Sequence, residues 1–221
     1  MNQSFCVYNN VFQIGGSDIS HPADCAVYLI DCGDLVLIDS GAGLSFDHLI
    51  KNIQTLGFNP EKLVAIIATH RHIDHIGALW QFREKYGVQI IAHELDTEGI
   101  EKGIRTAAQF YDIEYRPCQV DIELTGNNNM LKYGEYELNI LHVPGHTAGG
   151  IAVYVDIGKR ILFGQDIHGP YSLPGADKQK AKQSLQKLID IQADILCEGH
   201  FGIYQPKEKV NEYINSYLGR L

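Results

Sequence analysis

The sequence predicts an α/β fold (α+β in some schemes) made of two sheets packed face to face, with helices on both outer sides. Three observations predict it. Strand-rich and helix-rich stretches follow one another as strands, helices, strands, helices, with no linker or low-complexity tract between them. Two halves share one rhythm of strand hairpins, polar loop, helix and buried strand. The buried strands each run into His or Asp.

The elements follow in order. Phe5 to Tyr8 and Val11 to Ile14 are short apolar pieces across an Asn9-Asn10 turn, a hairpin signal. A polar loop from Gly15 to Asp24 precedes a second hairpin, Ala26 to Ile30 and Leu35 to Ile38. Leu49, Ile50, Ile53 and Leu56 fall at helical spacing, so a helix is expected over Phe46 to Leu56, stopped by Gly57. Leu63 to Ala68 reads as a buried strand from its unbroken apolar run. A helix from Gly77 to Tyr86 and a strand from Val88 to Ala92 come next. Residues 94–117 read as an irregular helical, lid-like segment closed by Pro117. Strands are expected at Gln119 to Leu124, Met130 to Tyr133, Glu137 to Val143, Ile151 to Val155 and Arg160 to Phe163. A helix over Asp177 to Ile191, a strand over Asp194 to Cys197 and one short helix in the tail complete a single domain over 1–221.

Composition excludes several functions. Hydrophobic residues make up 45% and charged residues 20% of 221, enough apolar side chain for a packed core. The 27 acidic against 18 basic residues give a net charge of −9, which disfavours nucleic acid and anionic membranes as partners. No apolar run approaches the roughly 20 residues that span a bilayer. The N-terminus shows neither a basic region nor an apolar core, so no signal peptide is read. Five Cys at irregular spacing, without a C-x-x-C, fit reduced thiols in a cytoplasm better than disulfides or a cysteine zinc site. Nothing in the sequence decides the oligomeric state; a homodimer is one expectation.

The chemistry lies in the ten His. In the segment His70-x-His72-x-Asp74-His75, which follows a buried strand directly, residues i and i+2 point the same way, so His70 and His72 can reach one ion. A turn into the next helix would swing Asp74 and His75 to a neighbouring ion. Three more candidates end other strands: His146 in P-G-H-T-A-G-G, Asp166 in F-G-Q-D, and His200 in E-G-H-F-G. Imidazole and carboxylate donors without Cys suit Zn2+, Fe or Mn2+. Seven side chains are too many for one tetrahedral ion and suit two ions that share a carboxylate.

The order H-x-H-x-D-H, P-G-H-T-x-G, G-x-D, G-H resembles the metallo-β-lactamase-fold hydrolase superfamily, and the resemblance runs from the Ala26 hairpin to His200. It implies a four-layer αββα sandwich with two metals at one edge of the sheets, zinc first among the candidates. It implies His70, His72 and His146 on the first metal, Asp74, His75 and His200 on the second, and Asp166 bridging, with Asp74 and Asp166 as the catalytic carboxylates. Asp39, in L-I-D-S-G-A-G, matches the superfamily's acid behind the metal loop, where it would fix a ligand's orientation and tautomer. Such a site makes hydroxide available at neutral pH and stabilises an oxyanion, so an ester, lactone, thioester or amide is the expected substrate.

Within the superfamily the motifs are similar to those of glyoxalase II and of acyl-homoserine lactonases. The chain departs from glyoxalase II in having 21 residues after His200 and no G-C-G-R-type loop after Asp166, which weakens the case for a glutathione thioester. Persulfide dioxygenases resemble the same set but hold one iron, which here would sit on His70, His146 and Asp166. A nuclease or a non-catalytic metal-binding protein fits less well, and a secreted β-lactamase is disfavoured by the N-terminus. Substrate-contact candidates are His168, two residues after Asp166, Tyr171 in the loop beyond it, and Tyr111 in the 94–117 segment. For Tyr111, with Arg105 and Tyr115, packing of an amphipathic helix is the competing reading. Cys197 is expected to be inert packing. His48 is expected on an exposed helix face, and His93 and His142 at strand ends.

Overall fold

The computed structural model describes residues 2–221 and divides into two compact units, the first ending at Leu124 and the second running Thr125–Leu221. In the first unit seven strands form one mixed sheet: β1 (Phe5–Tyr8), β2 (Val11–Gly15), β3 (Val27–Asp31), β4 (Leu35–Ile38), β5 (Leu63–Ile67), β6 (Gln89–His93) and β7 (Ile122–Leu124), paired in that order. The hairpins make β1 to β4 antiparallel, whereas β4 to β7 are joined through helices and run parallel.

The helices of this unit are α1 (Phe46–Thr55), α2 (Ile73–Ile76), α3 (Leu79–Tyr86) and α4 (Glu94–Lys102). Leu49 and Ile53 of α1, and Leu79 and Phe82 of α3, pack on Val27, Leu29, Leu37 and Ile66. Alternation places Tyr28, Ile30, Val36 and Ile67 on the opposite face of the strands, and these are buried as well. Strands hidden on both faces explain why Leu63 to Ala68 shows no alternation of polar residues.

The second unit holds a six-stranded mixed sheet of β8 (Asn128–Tyr133), β9 (Tyr136–His142), β10 (Ile151–Asp156), β11 (Arg160–Gln165), β12 (Ile195–Glu198) and β13 (Ile203–Tyr204), in the order β13-β12-β11-β10-β9-β8. Only β11 and β12 are parallel; the connection between them is α5 (Lys178–Asp190). Asp177 caps α5 by accepting from Gln179 and Lys180 N–H groups at 2.9 and 3.0 Å, worth about 1 kcal/mol. Leu185 and Leu188 of α5, with Val210 and Ile214 of α6 (Lys207–Leu218), cover Leu141, Ala152, Leu162 and Leu196.

The elements differ from the expectations in three places. The helix expected over 77–86 is present as α3 from Leu79, preceded by the short α2, and between them a Cβ at Gly77 would stand 2.1 Å from the Ala42 carbonyl carbon. The segment 94–117 is helical only over α4 and a 3-10 turn at Ala108–Phe110. Arg105 and Ala107 take left-handed φ of 57° and 59°, and the Arg105 and Thr106 carbonyls accept from Arg71 Nε and Ile73 N, so no helical ladder can continue there. The two-residue β13 went unanticipated because it is too short to show a period. No helix among the described residues is long and apolar enough to cross a membrane.

Candidate metal centre

Each unit carries its own set of converging donors. In the first, the chain leaves β5 through Thr69, bends at His70 and Arg71, and reaches His72, whose φ of −74° and ψ of 147° precede α2. His70 Nε2 and His72 Nδ1 come within 3.1 Å of each other. One turn on, His75 Nε2 lies 3.4 Å from Asp74 Oδ2. All four residues are buried.

Asp39, at the end of β4, organises this loop from behind. Its Oδ1 accepts from the Thr69 N–H, and its Oδ2 accepts from the Thr69 hydroxyl and from His75 Nδ1, each at 2.7 Å. A carboxylate that takes the Nδ1 proton leaves His75 Nε2 with its lone pair, the form a metal needs. Cys25 is buried within 4.8 Å of this Asp39–His75 pair. Burial pushes its thiol far above the ordinary range, against the smaller pull of His75.

In the second unit Asp166 follows β11. Its Oδ2 lies 3.3 Å from His146 Nε2, and its Oδ1 lies 3.3 Å from His200 Nε2. The two oxygens of one carboxylate thus face two different imidazoles. His146 Nδ1 donates to the Pro170 carbonyl at 3.1 Å, which again leaves Nε2 as the donor toward a metal.

The spacing of these donors tests whether a metal fits. Two ligand atoms about 2.0–2.2 Å from one ion at the tetrahedral angle lie roughly 3.3–3.6 Å apart. The four separations, 3.1, 3.4, 3.3 and 3.3 Å, fall within about 0.2 Å of that span. The donor set, imidazole and carboxylate only, agrees with it.

Two supporting elements escaped the sequence reading. Glu198, at the end of β12 and fully buried, accepts from His168 Nδ1 at 2.6 Å through Oε1, and from the His200 and Phe201 N–H groups at 2.6 and 2.7 Å through Oε2. Its place two residues before His200 was the only signal. Arg71, between His70 and His72, forms a buried ion pair with Asp96 of α4, whose other oxygen accepts from the Arg71 N–H at 3.1 Å. Gly99 leaves room for it, since a Cβ there would stand 2.4 Å from Arg71 Cδ.

The substrate-contact candidates part ways. The His168 side chain is 13% exposed and its ring lies 5.4 Å from that of His200. The Tyr171 hydroxyl donates to the Ile167 carbonyl, and burial raises its pKa. Tyr111 is 38% exposed beside the 3-10 turn, whereas Tyr115 packs on the core with its hydroxyl on the Ile100 carbonyl. His48 is half-buried rather than exposed, with Nδ1 3.3 Å from the Ser20 carbonyl. His93 ends β6 and caps α4 by accepting from the Leu95 N–H, and His142 ends β9 with Nε2 2.8 Å from the Ala148 carbonyl. Cys197 is buried, as expected.

Comparison with known proteins agrees with this picture. The sequence pattern of the Metallo-beta-lactamase superfamily matches residues 22–200. Hydroxyacylglutathione hydrolase GloC of Haemophilus influenzae is 26% identical over 87% of this chain and 93% of its own. The probable metallo-hydrolase YqgX of Bacillus subtilis is 28% identical over 79% of this chain and 83% of its own. The solved structure of the class B3 di-zinc metallo-β-lactamase LRA-12 from an Alaskan soil metagenome superposes with a TM-score of 0.80 at 22% identity, over 100% of this chain and 91% of that one. The two helix-flanked mixed sheets are therefore those of the αββα fold expected from the motifs, and the chain belongs to the metallo-β-lactamase superfamily of metallo-hydrolases.

Proposed function

We propose that the chain is a dinuclear zinc hydrolase that cleaves an ester-like bond (a lactone, thioester or ester) in a small molecule. The observation that carries the reading is Asp166, whose two oxygens each face a different imidazole at 3.3 Å, as a carboxylate shared by two ions would. In this reading His70, His72 and His146 take one ion, Asp74, His75 and His200 take the other, and Asp166 serves both. Two such ions, when bound, supply a water that ionises near neutral pH and positive charge for a developing oxyanion. The chain's own residues make that possible in defined ways. Asp39 and the Pro170 carbonyl hold the Nδ1 protons of His75 and His146, so both rings keep an Nε2 lone pair. Burial of the His70–His75 loop keeps competing water away from the donors. The five cysteines are all free, which supports a reducing compartment such as the cytoplasm.

Support from relatives is of two kinds. The name of the GloC relative is that of a thioester hydrolase, and the LRA-12 structure is described as di-zinc. The test is a panel of lactones, thioesters and carboxylic esters with wild type, His72→Ala and Asp166→Ala. The reading expects hydrolysis by wild type, loss of metal in His72→Ala, and turnover lower by about a hundredfold or more in Asp166→Ala. Unchanged metal content and hydrolysis in His72→Ala would contradict it.

A further inference from the structure

The loop between β9 and β10 carries His146 and has no regular structure over residues 143–150. Two bonds fold it on itself: the Val143 N–H donates to the Gly150 carbonyl at 2.8 Å and the Gly145 N–H to the Thr147 carbonyl at 3.0 Å. Three carbonyls along it face α5 instead. The Ser184 hydroxyl donates to Pro144 at 2.7 Å and the Lys187 amine to His142 at 2.8 Å. The N–H of Asp177, the N-cap of α5, donates to Gly145 at 2.8 Å. Gly145, at φ 153°, also lies against the helix, where a Cβ would stand 2.5 Å from the Ala181 Cα. Asp177, Ala181, Ser184 and Lys187 follow at intervals of four, three and three, which places them on one stripe of α5. Leu185 and Leu188 form the adjoining stripe that covers the sheet. The helix therefore turns one face to the core and one to the backbone beside His146.

Packing alone does not call for these polar side chains. Ser184 is 6% exposed, and Ala in its place would favour the helix and bury no polar atom. A hydroxyl inside a helix ordinarily turns to the carbonyl four residues back. This one crosses to another segment. The Lys187 amine gives up part of its hydration, which lowers its pKa, to meet the His142 carbonyl.

We infer that Ser184 and Lys187 are positioning residues for His146: by gripping the carbonyls of Pro144 and His142 they set where His146 Nε2 stands opposite Asp166 Oδ2, and so the affinity for the metal ion that both would hold. The inference rests on the reading of His146 as a metal ligand given above; the grip of α5 on the loop does not. A net hydrogen bond is worth about two- to tenfold in an equilibrium. Loss of a tether frees the loop in the metal-free protein, and metal binding must then order it again.

The test compares the full chain as wild type, Ser184→Ala, Lys187→Met, the double variant, and Lys187→Arg, which keeps a cationic donor. Ile214→Val in α6 is the control, because it thins the same apolar cluster without removing a bond to the loop. Zinc dissociation constants are measured by chelator competition. The urea midpoint and the exchange rate of the Gly145 amide are measured on the metal-free proteins. Each lost tether should weaken one of the two zinc constants by about three- to tenfold, and the double variant by more, while the other constant holds within about twofold. Lys187→Arg should bind zinc as wild type does, and Ile214→Val should lower the midpoint with both constants unchanged. The Gly145 amide should exchange faster in the double variant than its midpoint accounts for. Two zinc constants unchanged in the double variant, both weakened alike, or the same selective loss in Ile214→Val would each overturn the inference. A wild type that holds one ion or none would count against the dinuclear reading, whereas Gly145 exchange judges the tethers without metal. Exchange in the double variant no faster than in Ile214→Val of equal midpoint would overturn the inference by itself.

Discussion

Arg71 connects the His70–His75 loop to α4 through a pair of charges hidden from water. Its side chain is 5% exposed and that of Asp96 is not exposed at all. Asp96→Ala removes the charge partner of the guanidinium and leaves it with the Arg105 carbonyl at 3.3 Å. Breaking a buried pair from one side costs about 3–5 kcal/mol. Loss of the 3.1 Å bond from the Arg71 N–H adds about 1 kcal/mol. A total near 5 kcal/mol, divided by an m-value of about 2 kcal/mol/M, lowers the urea midpoint by roughly 2.5 M. The measurement belongs on the metal-free protein, because bound metal would add its own stabilisation. The control is Arg71→Met with Asp96→Leu, which removes both charges and fills the space. That pair should recover most of the loss, since the penalty in the single variant comes from an unpaired charge. A midpoint shift below about 0.3 M in Asp96→Ala, or a double variant as unstable as the single, would refute this reasoning.

Two further predictions follow from the same loop. Asp39→Asn places an amide NH2 against His75 Nδ1 or breaks the bonds to Thr69, so zinc affinity at the His75 position should fall by about 10- to 100-fold in a chelator competition, and unchanged affinity would count against a tautomer role for Asp39. Gly77→Ala drives a Cβ into the Ala42 carbonyl, so it should cost about 3 kcal/mol and lower the melting temperature by roughly 6–12 °C, and a fall below about 2 °C would show that the two loops part easily.

The parts of this protein that could be read from sequence are those encoded locally. The strand Leu35–Ile38 and the hairpins stand out because apolar runs and turn residues are contiguous. The donors are legible for the same reason. His70, His72, Asp74 and His75 fall within one short stretch, and His146, Asp166 and His200 each follow a strand. What holds them is not local. Asp96 reaches Arg71 across 25 positions and Glu198 reaches His168 across 30, so neither pairing leaves a spacing to detect. Pro170 acts through its carbonyl, which any residue would supply. α4 stops at the left-handed Gly103, a signal the sequence carries, whereas the irregular course beyond it was missed because non-glycine residues, Arg105 and Ala107, take the left-handed conformations that a sequence reading assigns to Gly. The bond of the Tyr171 hydroxyl to a backbone carbonyl four residues earlier leaves no sequence signal either.

The central proposal is that the chain holds two metal ions that share Asp166, whose two oxygens face two different imidazoles. Its most direct test is the metal content of protein purified without added metal, by plasma mass spectrometry against an independent protein concentration. The account predicts close to two zinc ions per chain, falling to one or fewer in Asp166→Ala. Close to one iron per chain, with oxygen uptake on glutathione persulfide, would contradict it and point to the mononuclear dioxygenase reading.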